Sequence, residues 1–244
     1  MTILLTNDDG VKSEGLNALA KTLSKEHRVV VVAPNGNRSA YSQSLTIYRE
    51  LTLGKEKISD KYESYSLSGT PADCVKFAVH YFKDIKFDLV IAGINAGDNL
   101  GSNTCYSGTV GAALEGNYFS IPSIAFSSAS HKNFRFETWA ETATELLPNL
   151  MKLARGNMTL NVNFPEVDKK DVKGVKLAPL GYMSYGDFYH ENENGTFSLM
   201  GDPIYDTEGD SDIVLSAKGY ITVTPILFDR TDYTSLKEFT GAEL

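Results

Sequence analysis

Residues 3–10 read ILLTNDDG, an apolar run that ends on two adjacent aspartates, Asp8 and Asp9. The run predicts a short buried strand at the start of the chain. Two adjacent carboxylates repel each other, and at a strand end they are partly removed from water, so another group must offset their charge. A hard divalent cation does this directly through oxygen ligands. The alternative is a simple turn at Asp9-Gly10, with Asp8 capping the next helix.

Strands and helices alternate outward from this stretch through the first two thirds of the chain. Apolar residues recur at helical spacing in residues 14–25, and residues 29–34 (VVVVAP) are typical of a strand buried on both faces. Such alternation predicts an α/β fold, a mostly parallel sheet with helices on both faces. The later helical segments are residues 71–83, 109–119 and 137–154, and the later strand segments are residues 88–95 and 121–127.

Two regions depart from this alternation. Residues 45–53 and 62–69 alternate like half-exposed antiparallel strands and predict an excursion from the main sheet. From about residue 161, short strands between turns rich in Gly, Asn and Asp predict a β-rich C-terminal part, whose acidic segment 201–212 is expected on the surface. We therefore expect an α/β core over residues 1–160 and a β-rich part over residues 161–244 of the same globular unit.

Composition excludes several classes of function. With 244 residues, 42% of them hydrophobic, the chain can bury a full core. A net charge of -8 with scattered Lys and Arg excludes a nucleic-acid polymer as partner. Cys74 and Cys105 form no CxxC pattern, which fits a reducing compartment and gives no zinc signal. Since no apolar run approaches the roughly 20 residues that span a bilayer, we expect a cytoplasmic protein without a membrane partner.

Four polar or Gly-rich loops follow predicted strands or precede a predicted helix. In an open parallel sheet such loops meet at the carboxyl edge, which is where ligands bind. Four loops that converge on one edge are a stronger signal than any one motif. They span residues 7–10, 35–44, 95–99 and 107–109.

The second and third loops carry further oxygen donors for a cation. Asn95 and Asn99 can offer carboxamide oxygens, although a Gly/Asn turn explains either residue alone. Ser39 could reach a metal or phosphate oxygen and Arg38 could steer an anion, although the loop by itself is more typical of plain surface. Because no thiolate or imidazole lies near these loops, the donor set favours Mg²⁺ or Mn²⁺.

The fourth loop is the phosphate candidate. Ser107, Gly108 and Thr109 begin a predicted helix, where free backbone N–H groups and the helix dipole favour an anion. An ordinary Ser/Thr N-cap is the alternative. Residues 68–74 (SGTPADC) form a similar turn, for which helix capping and support of the site are both open. The histidines lie in no motif, which argues against histidine catalysis; they are His27, His80, His131 and His190.

Six motifs together resemble the SurE family, the stationary-phase survival proteins, from residue 2 to about residue 226. In order they read TNDDG, NRSAYSQSLT, SGTPADCV, DLVIAGINAGDNLG, YSGTVGAALEG and GYITVTP. The resemblance implies a Rossmann-like core with a C-terminal hairpin arm exchanged between the subunits of a homodimer or homotetramer. It also implies a metal-dependent nucleotidase that hydrolyses nucleoside 5'- and 3'-monophosphates, with short-chain polyphosphate as a further substrate.

The resemblance also assigns site residues and one divalent ion, Mg²⁺ or Mn²⁺, per subunit. We expect supporting roles for Asn7, Gly10, Asn37 and Arg38. The family often has glycine after the serine at position 39, where this chain has Ala40, which would be strained if that position needs a positive φ. The implied metal ligands are Asp8, Asp9, Ser39 and Asn95, and the implied phosphate-binding residues are Ser107, Gly108 and Thr109, with Asn99 nearby.

The chemistry that we expect is phosphoryl transfer to water, with Asp8 and Asp9 as the catalytic pair and Asp8 as the candidate base. A phosphoaspartate intermediate is less favoured, because haloacid-dehalogenase-like phosphatases use Asp-x-Asp-x-Thr. A signalling receiver domain would need a phospho-accepting aspartate where this chain has Asn95. A nucleotide sensor without turnover stays open. The contact to the base is also open, with Tyr41, Tyr106 and Tyr185 among the candidates.

Overall fold

The structure is a computed structural model that describes residues 1–129, 135–186, 188–205 and 207–240. The strands are β1 Thr2–Thr6, β2 Arg28–Pro34, β3 Leu53–Glu56, β4 Glu63–Leu67, β5 Leu89–Ala96, β6 Ser123–Ser128, β7 Met158–Phe164, β8 Val175–Leu177, β9 Met183–Tyr185, β10 Phe188–Glu191, β11 Phe197–Met200, β12 Pro203–Tyr205 and β13 Ile221–Leu227. The α-helices are α1 Glu14–Leu23, α2 Pro71–Tyr81, α3 Gly108–Tyr118, α4 Phe136–Leu153, α5 Asp212–Ala217 and α6 Tyr233–Glu238; the segments Gly101–Cys105 and Lys169–Asp171 are short 3₁₀ helices.

A mostly parallel sheet forms the centre of the molecule. Nine of the described strands join it in the order β3-β4-β2-β1-β5-β6-β7-β13-β8. Neighbours from β4 to β7 run parallel, whereas β3 is antiparallel to β4 and β13 is antiparallel to β7. This arrangement confirms the predicted α/β fold class with its mostly parallel sheet.

Apolar side chains cover both faces of the sheet. Because successive residues of a strand point to opposite faces, the consecutive apolar residues 3–5 of β1 and 29–33 of β2 contribute to two separate cores. Alternate residues Ile3 and Leu5 pack with α1 and α4, while Leu4 packs with α2 and α3. The predicted helices on both faces are therefore confirmed.

The helix α4 shows how one periodic segment covers a sheet. It runs for 18 residues with Pro148 inside it, and its buried side includes Trp139, whose ring stacks on Phe164 at 4.9 Å between centroids. The opposite side carries exposed charged residues such as Glu145. Among the described helices none is long and apolar enough to cross a bilayer.

The path of the chain creates a crevice beside β1. The chain passes from β1 to β2 on one side and returns to β5 on the other, so β1 and β5 are neighbours at the point where the strand order reverses. In open α/β sheets ligands bind outside the carboxyl ends of the strands at such a switch point. The predicted metal ligands lie at this edge: Asp8 and Asp9 follow β1, Asn95 lies at the end of β5, and Ser39 lies in the loop after the neighbouring β2.

The excursion after β2 differs from the prediction in its first half. The expected strand at residues 45–53 is irregular until β3 begins at Leu53, and β3 then pairs antiparallel with β4 as expected. Residues 45–52 instead pack around the start of α2, where the backbone N–H of Thr46 donates to Asp73. Alternation alone could not show that a tertiary contact replaces the sheet pairing there.

The C-terminal part contributes both to the main sheet and to a projecting hairpin. Strands β7, β13 and β8 complete the central sheet, whereas β9 pairs with β12 and β10 pairs with β11 outside it. The segment 201–212 was expected entirely on the surface, and this is wrong at its end, because Asp212 is fully buried. Asp212 is buried because its carboxylate accepts backbone N–H groups of two other segments, Gly101 and Gly181.

Candidate functional site

The loop after β1 is built by Asn7 and Gly10. The side chain of Asn7 donates to the backbone carbonyl of Gly10 at 3.1 Å and accepts from the backbone N–H of Gly10 at 3.2 Å. Gly10 has a φ of 104°, which other residues rarely adopt, and an added Cβ would lie 3.2 Å from the backbone of Gly36. The turn that carries Asp8 and Asp9 therefore needs glycine at position 10.

Asp8 is where three loops meet. Its side chain is buried and accepts a hydrogen bond from the hydroxyl of Thr109 at 2.5 Å, and its backbone carbonyl accepts from the N–H of Arg38 at 2.7 Å. A Cβ on Gly108 would lie 2.9 Å from the Cβ of Asp8 and 3.2 Å from the carbonyl oxygen of Arg38. The close approach of the start of α3 to the β1 and β2 loops therefore depends on glycine at position 108.

The environment raises the pKa values of both aspartates. Burial, with a smaller effect of the charge on Asp9, raises the pKa of Asp8 to about 6, although hydrogen bonds from Thr109 oppose the shift. Burial also raises the pKa of Asp9, which is partly exposed and accepts from the backbone N–H of Ala96 at 3.2 Å. This last bond joins the loop after β1 to the end of β5 across the switch point.

The loop after β2 holds Ser39 and Arg38 differently. The side chain of Asn37 accepts from the backbone N–H of Ser39 at 2.9 Å, so Asn37 supports this residue. The guanidinium group of Arg38 donates to Asn35 and to the backbone carbonyl of Asn37, both at 2.9 Å. Ala40 has a φ of 62°, so the position does adopt the left-handed conformation in which glycine would be relaxed.

The start of α3 combines a cap with a phosphate candidate. The hydroxyl of Ser107 accepts from the backbone N–H of Val110 at 3.1 Å, an ordinary N-cap. The hydroxyl of Thr109 is engaged with Asp8, so this side chain positions the carboxylate. An anion could therefore bind to the backbone N–H groups of this segment, at the positive end of an 11-residue helix.

The two asparagines at the end of β5 and in the loop after it face different surroundings. Asn95 is half-buried, and its Nδ2 donates to the carbonyl of Gly97 at 2.8 Å. This hydrogen bond fixes the orientation of the side-chain amide. Asn99 is buried, its Nδ2 donates to Ser127 at 2.8 Å, and its backbone N–H donates to Asn163 at 2.8 Å. These contacts favour a structural role for Asn99, whose role in phosphate binding stays a prediction.

The turn before α2 is a capping box. Thr70 accepts from the backbone N–H of Asp73 at 3.0 Å, and Asp73 accepts from the backbone N–H of Thr70 at 2.9 Å. Of the two open interpretations of residues 68–74, helix capping has direct contacts in the structure.

Of the four histidines, His131 lies outside the described residues.

Sequence reasoning missed the residues that tie the site to distant segments. Glu115 of α3 is buried, accepts from Gln43 of the β2 loop at 3.0 Å, and pairs with Lys76 of α2 at 3.2 Å. Asp212 accepts from Gly101 at 2.9 Å and from Gly181 at 2.8 Å, and burial raises its pKa. Each is a single acidic residue whose partners lie far along the chain, so no local pattern could reveal it.

The donor set at this edge fits a hard cation. In the described part of the chain no three His, Cys, Asp or Glu side chains cluster as metal ligands. The carboxylates of Asp8 and Asp9 are nevertheless adjacent and carry raised pKa values, so a positive charge beside them would be stabilised. Carboxylate, hydroxyl and carboxamide oxygens are the ligands that Mg²⁺ and Mn²⁺ prefer. The residues present therefore fit a divalent cation.

Fold and site together define a class: an α/β protein whose carboxyl edge, at the switch point of the sheet, offers oxygen ligands beside the N-terminus of a helix. Comparison with known proteins identifies the family within this class. Residues 3–187 match the family described as Survival protein SurE. The chain belongs to the SurE family.

Several relatives match over nearly their whole length. A protein named 5'-nucleotidase SurE from Clostridium tetani is 41% identical, with 98% of each chain covered, and one of the same name from Kosmotoga olearia is 40% identical, with 93% of this chain and 92% of the relative covered. A crystal structure of the SurE protein from Aquifex aeolicus aligns with a TM-score of 0.85 and 36% identity over 98% of each chain. The expected family is therefore confirmed.

Proposed function

We propose that this protein is a metal-dependent nucleotidase that hydrolyses nucleoside 5'-monophosphates to nucleoside and phosphate. Its relatives carry the name 5'-nucleotidase, and the chain is a phosphoric monoester hydrolase of that family. The observation that carries the proposal is the adjacent pair of the buried Asp8 and the partly exposed Asp9 at the switch point, where Asp8 contacts the N-terminus of α3 through Thr109.

Asp8, Asp9, Ser39 and Asn95 would hold one Mg²⁺ or Mn²⁺ ion at this edge. A bound ion would supply positive charge that neutralises the oxygens of the transferring phosphoryl group. The acidic pair and the neutral oxygens suit a hard cation rather than a thiophilic one.

Residues of the chain would orient the phosphate and accept the proton of the attacking water. The backbone at Ser107, Gly108 and Thr109 orients the phosphate at a helix N-terminus, which fixes the direction of attack. Asp8, held by the Thr109 hydroxyl at the edge where the ion and the phosphate would lie, is placed to accept a proton from the attacking water. Asp9, which is less buried, is placed to orient that water.

Two finer activities belong to the same proposal. Hydrolysis of nucleoside 3'-monophosphates and of short-chain polyphosphate requires only that the edge accept a terminal phosphate attached to different groups. The cytoplasm is the compartment that suits such substrates, and the low cysteine content fits it.

We also propose that the C-terminal part supplies an oligomerisation arm to a core formed mainly by residues 1–160. The hairpin of β10 and β11 exposes apolar side chains on both strands, with Tyr189 72% and Leu199 60% exposed and directly paired. An isolated two-stranded hairpin is marginal in water, so exchange with a second subunit in a homodimer or homotetramer would stabilise it.

The test measures phosphate release from nucleoside 5'- and 3'-monophosphates by wild type, Asp8→Asn and Asp9→Asn, in EDTA and after addition of Mg²⁺ or Mn²⁺. We expect release to require the metal and to fall at least about 100-fold in each variant, because a ligand and a proton acceptor are lost. Asp88→Asn is the matched control, since Asp88 is exposed at the opposite end of β5 and accepts from Thr2.

Near-normal turnover of both variants at saturating metal would overturn the assignment of the pair. Nucleotide binding without release under any metal would favour the second candidate, a nucleotide sensor. That candidate rests on the same edge, because a cation and phosphate cradle can bind without cleaving.

A further inference from the structure

A second cleft lies between the 3₁₀ helix Gly101–Cys105 and the root of the hairpin. Its volume is about 650 Å³. Asn103 lines it from the core, Tyr185 of β9 and Tyr205 of β12 line it from the hairpin, and Ile213 of α5 lies at its back. The cleft therefore combines aromatic surface with polar groups from the catalytic half.

This cleft and the proposed phosphate site are connected by one short segment of the chain. The 3₁₀ helix connects the loop of Asn95 to the start of α3 at Ser107, so one wall of the cleft is the segment between two parts of the site. Asp8 follows β1, whereas Glu166 and Val167 of the cleft follow β7, which is three strand spacings from β1, or roughly 14 Å. That separation is comparable with the length of a nucleoside monophosphate.

Contacts fix the aromatic wall of the cleft. The Nδ2 of Asn103 donates to the hydroxyl of Tyr185 at 2.7 Å, and the backbone N–H of Met183 donates to Ser102 at 3.1 Å. Tyr185 and Tyr205 are nevertheless 39% and 44% exposed. The ring of Tyr185 thus combines a defined position with accessible surface, and half-exposed tyrosine rings such as these two are suited to stacking on a nucleobase.

Charge distinguishes this cleft from its counterpart on the other side of the site. Asp98 and Glu166 line it, and carboxylates repel phosphate but accept hydrogen bonds from ribose hydroxyl groups. The other cleft, about 540 Å³, also has aromatic residues, Tyr41 and the 97% exposed Tyr48, but two arginines and only one carboxylate line it, Arg38, Arg49 and Glu50. The acidic, aromatic cleft suits the nucleoside, which is the uncharged end of a nucleotide. Binding of the nucleoside does not require the arginines of the other cleft.

We propose that the cleft between the 3₁₀ helix and the β9–β12 hairpin binds the nucleoside of the substrate. The base stacks on Tyr185 or Tyr205, the ribose hydroxyls face Asp98 and Glu166, and Asn103 acts as a positioning residue that holds Tyr185. This inference rests on the proposed nucleotidase function. It makes the root of the hairpin the part of the molecule that distinguishes nucleotides from other phosphomonoesters.

The test compares AMP with ribose 5-phosphate, which has the same phosphate and sugar but no base. Wild type, Tyr185→Leu and Tyr205→Leu are measured with Mn²⁺, and Tyr48→Leu is the matched control in the arginine-lined cleft. We expect one or both cleft variants to raise KM for AMP about tenfold with little change in kcat, and to leave ribose 5-phosphate unchanged.

Binding of adenosine, detected by saturation-transfer NMR in EDTA, tests the cleft without turnover. Transfer to the base protons should weaken in the variant that raises KM and persist in Tyr48→Leu. Equal losses on AMP and ribose 5-phosphate, or a selective loss in Tyr48→Leu, would overturn the proposal. If wild type hydrolyses no nucleotide but still binds adenosine in a manner that depends on Tyr185 or Tyr205, the proposed activity fails and the nucleoside site stands.

Discussion

The carboxyl edge of the sheet and the projecting hairpin each carry groups that the single chain does not fully stabilise. At the edge these groups are charged, and on the hairpin they are apolar. At the edge, two adjacent carboxylates with raised pKa values lie beside a helix N-terminus. On the hairpin, the paired strands β10 and β11 carry apolar side chains that are more than half exposed, such as Tyr189 and Leu199. The difference is chemical: the edge needs charge, which a small ion supplies, whereas the hairpin needs apolar contact, which only a large surface supplies.

Removing the hairpin should have the largest effect, and that effect should be on assembly rather than on the stability of the core. If residues 186–202 are replaced by Asn-Gly, which closes β9 onto β12 in a tight turn, we expect the molar mass in solution to fall to that of a single chain. The core should keep its melting temperature, because its two apolar cores lie within the sheet and its helices. Sedimentation and thermal unfolding measure the two effects.

Glu193→Gln is the control for this deletion, because it alters only the turn of the hairpin and keeps both apolar strands. An unchanged molar mass of the deletion variant would show that subunits associate elsewhere. A collapse of the melting temperature would show that the hairpin belongs to the core.

Relieving the charge at the edge should have a smaller effect, visible in stability. Burial raises the pKa of Asp8 to about 6, so the folded state binds this proton more tightly than the unfolded state does. The contribution of Asp8 to stability is therefore full below its unfolded pKa and is lost as pH rises through about 6. Between pH 5 and pH 8 this loss is about 1.4 kcal/mol.

Urea unfolding in EDTA at both pH values tests this expectation. Asp8→Asn should lack that part of the pH dependence and should be more stable than wild type at pH 8. An identical pH dependence in both proteins would contradict the assignment. The hairpin deletion should leave the pH dependence unchanged, which separates the two regions.

Relaxing the backbone beside Ser39 should give the smallest effect. Ala40 has a φ of 62°, so Ala40→Gly should raise the free energy of unfolding by about 1 kcal/mol. Ser120→Gly is the matched control, because Ser120 has a φ of 57° in the turn between α3 and β6. Both variants should gain stability, but only Ala40→Gly should weaken Mn²⁺ binding in calorimetry, since it loosens the Ser39 loop. Destabilisation by Ala40→Gly would show that the strain is absent.

Local patterns in the sequence were sufficient for the core and for the acidic pair. The strand at residues 2–6 and the adjacent aspartates lie in one short stretch, and the parallel direction of most strands follows from the alternation of helices and strands. The inward orientation of Asn99 could not be predicted, because its partner Asn163 lies 64 positions further along the chain. The burial of Asp212 depends on Gly101, at a separation of 111 positions. A single sequence does not reveal such pairings.

Asp212 gives the molecule a mechanical property. One carboxylate accepts hydrogen bonds from Gly101 at the start of the 3₁₀ helix and from Gly181 just before β9. A Cβ on Gly101 would lie 2.5 Å from the carbonyl oxygen of Gly181, so the two segments are also in close contact. A rotation of the hairpin about its root would therefore act on the segment that joins β5 to α3, two elements that carry parts of the proposed site. Subunit exchange and catalysis would share one hinge.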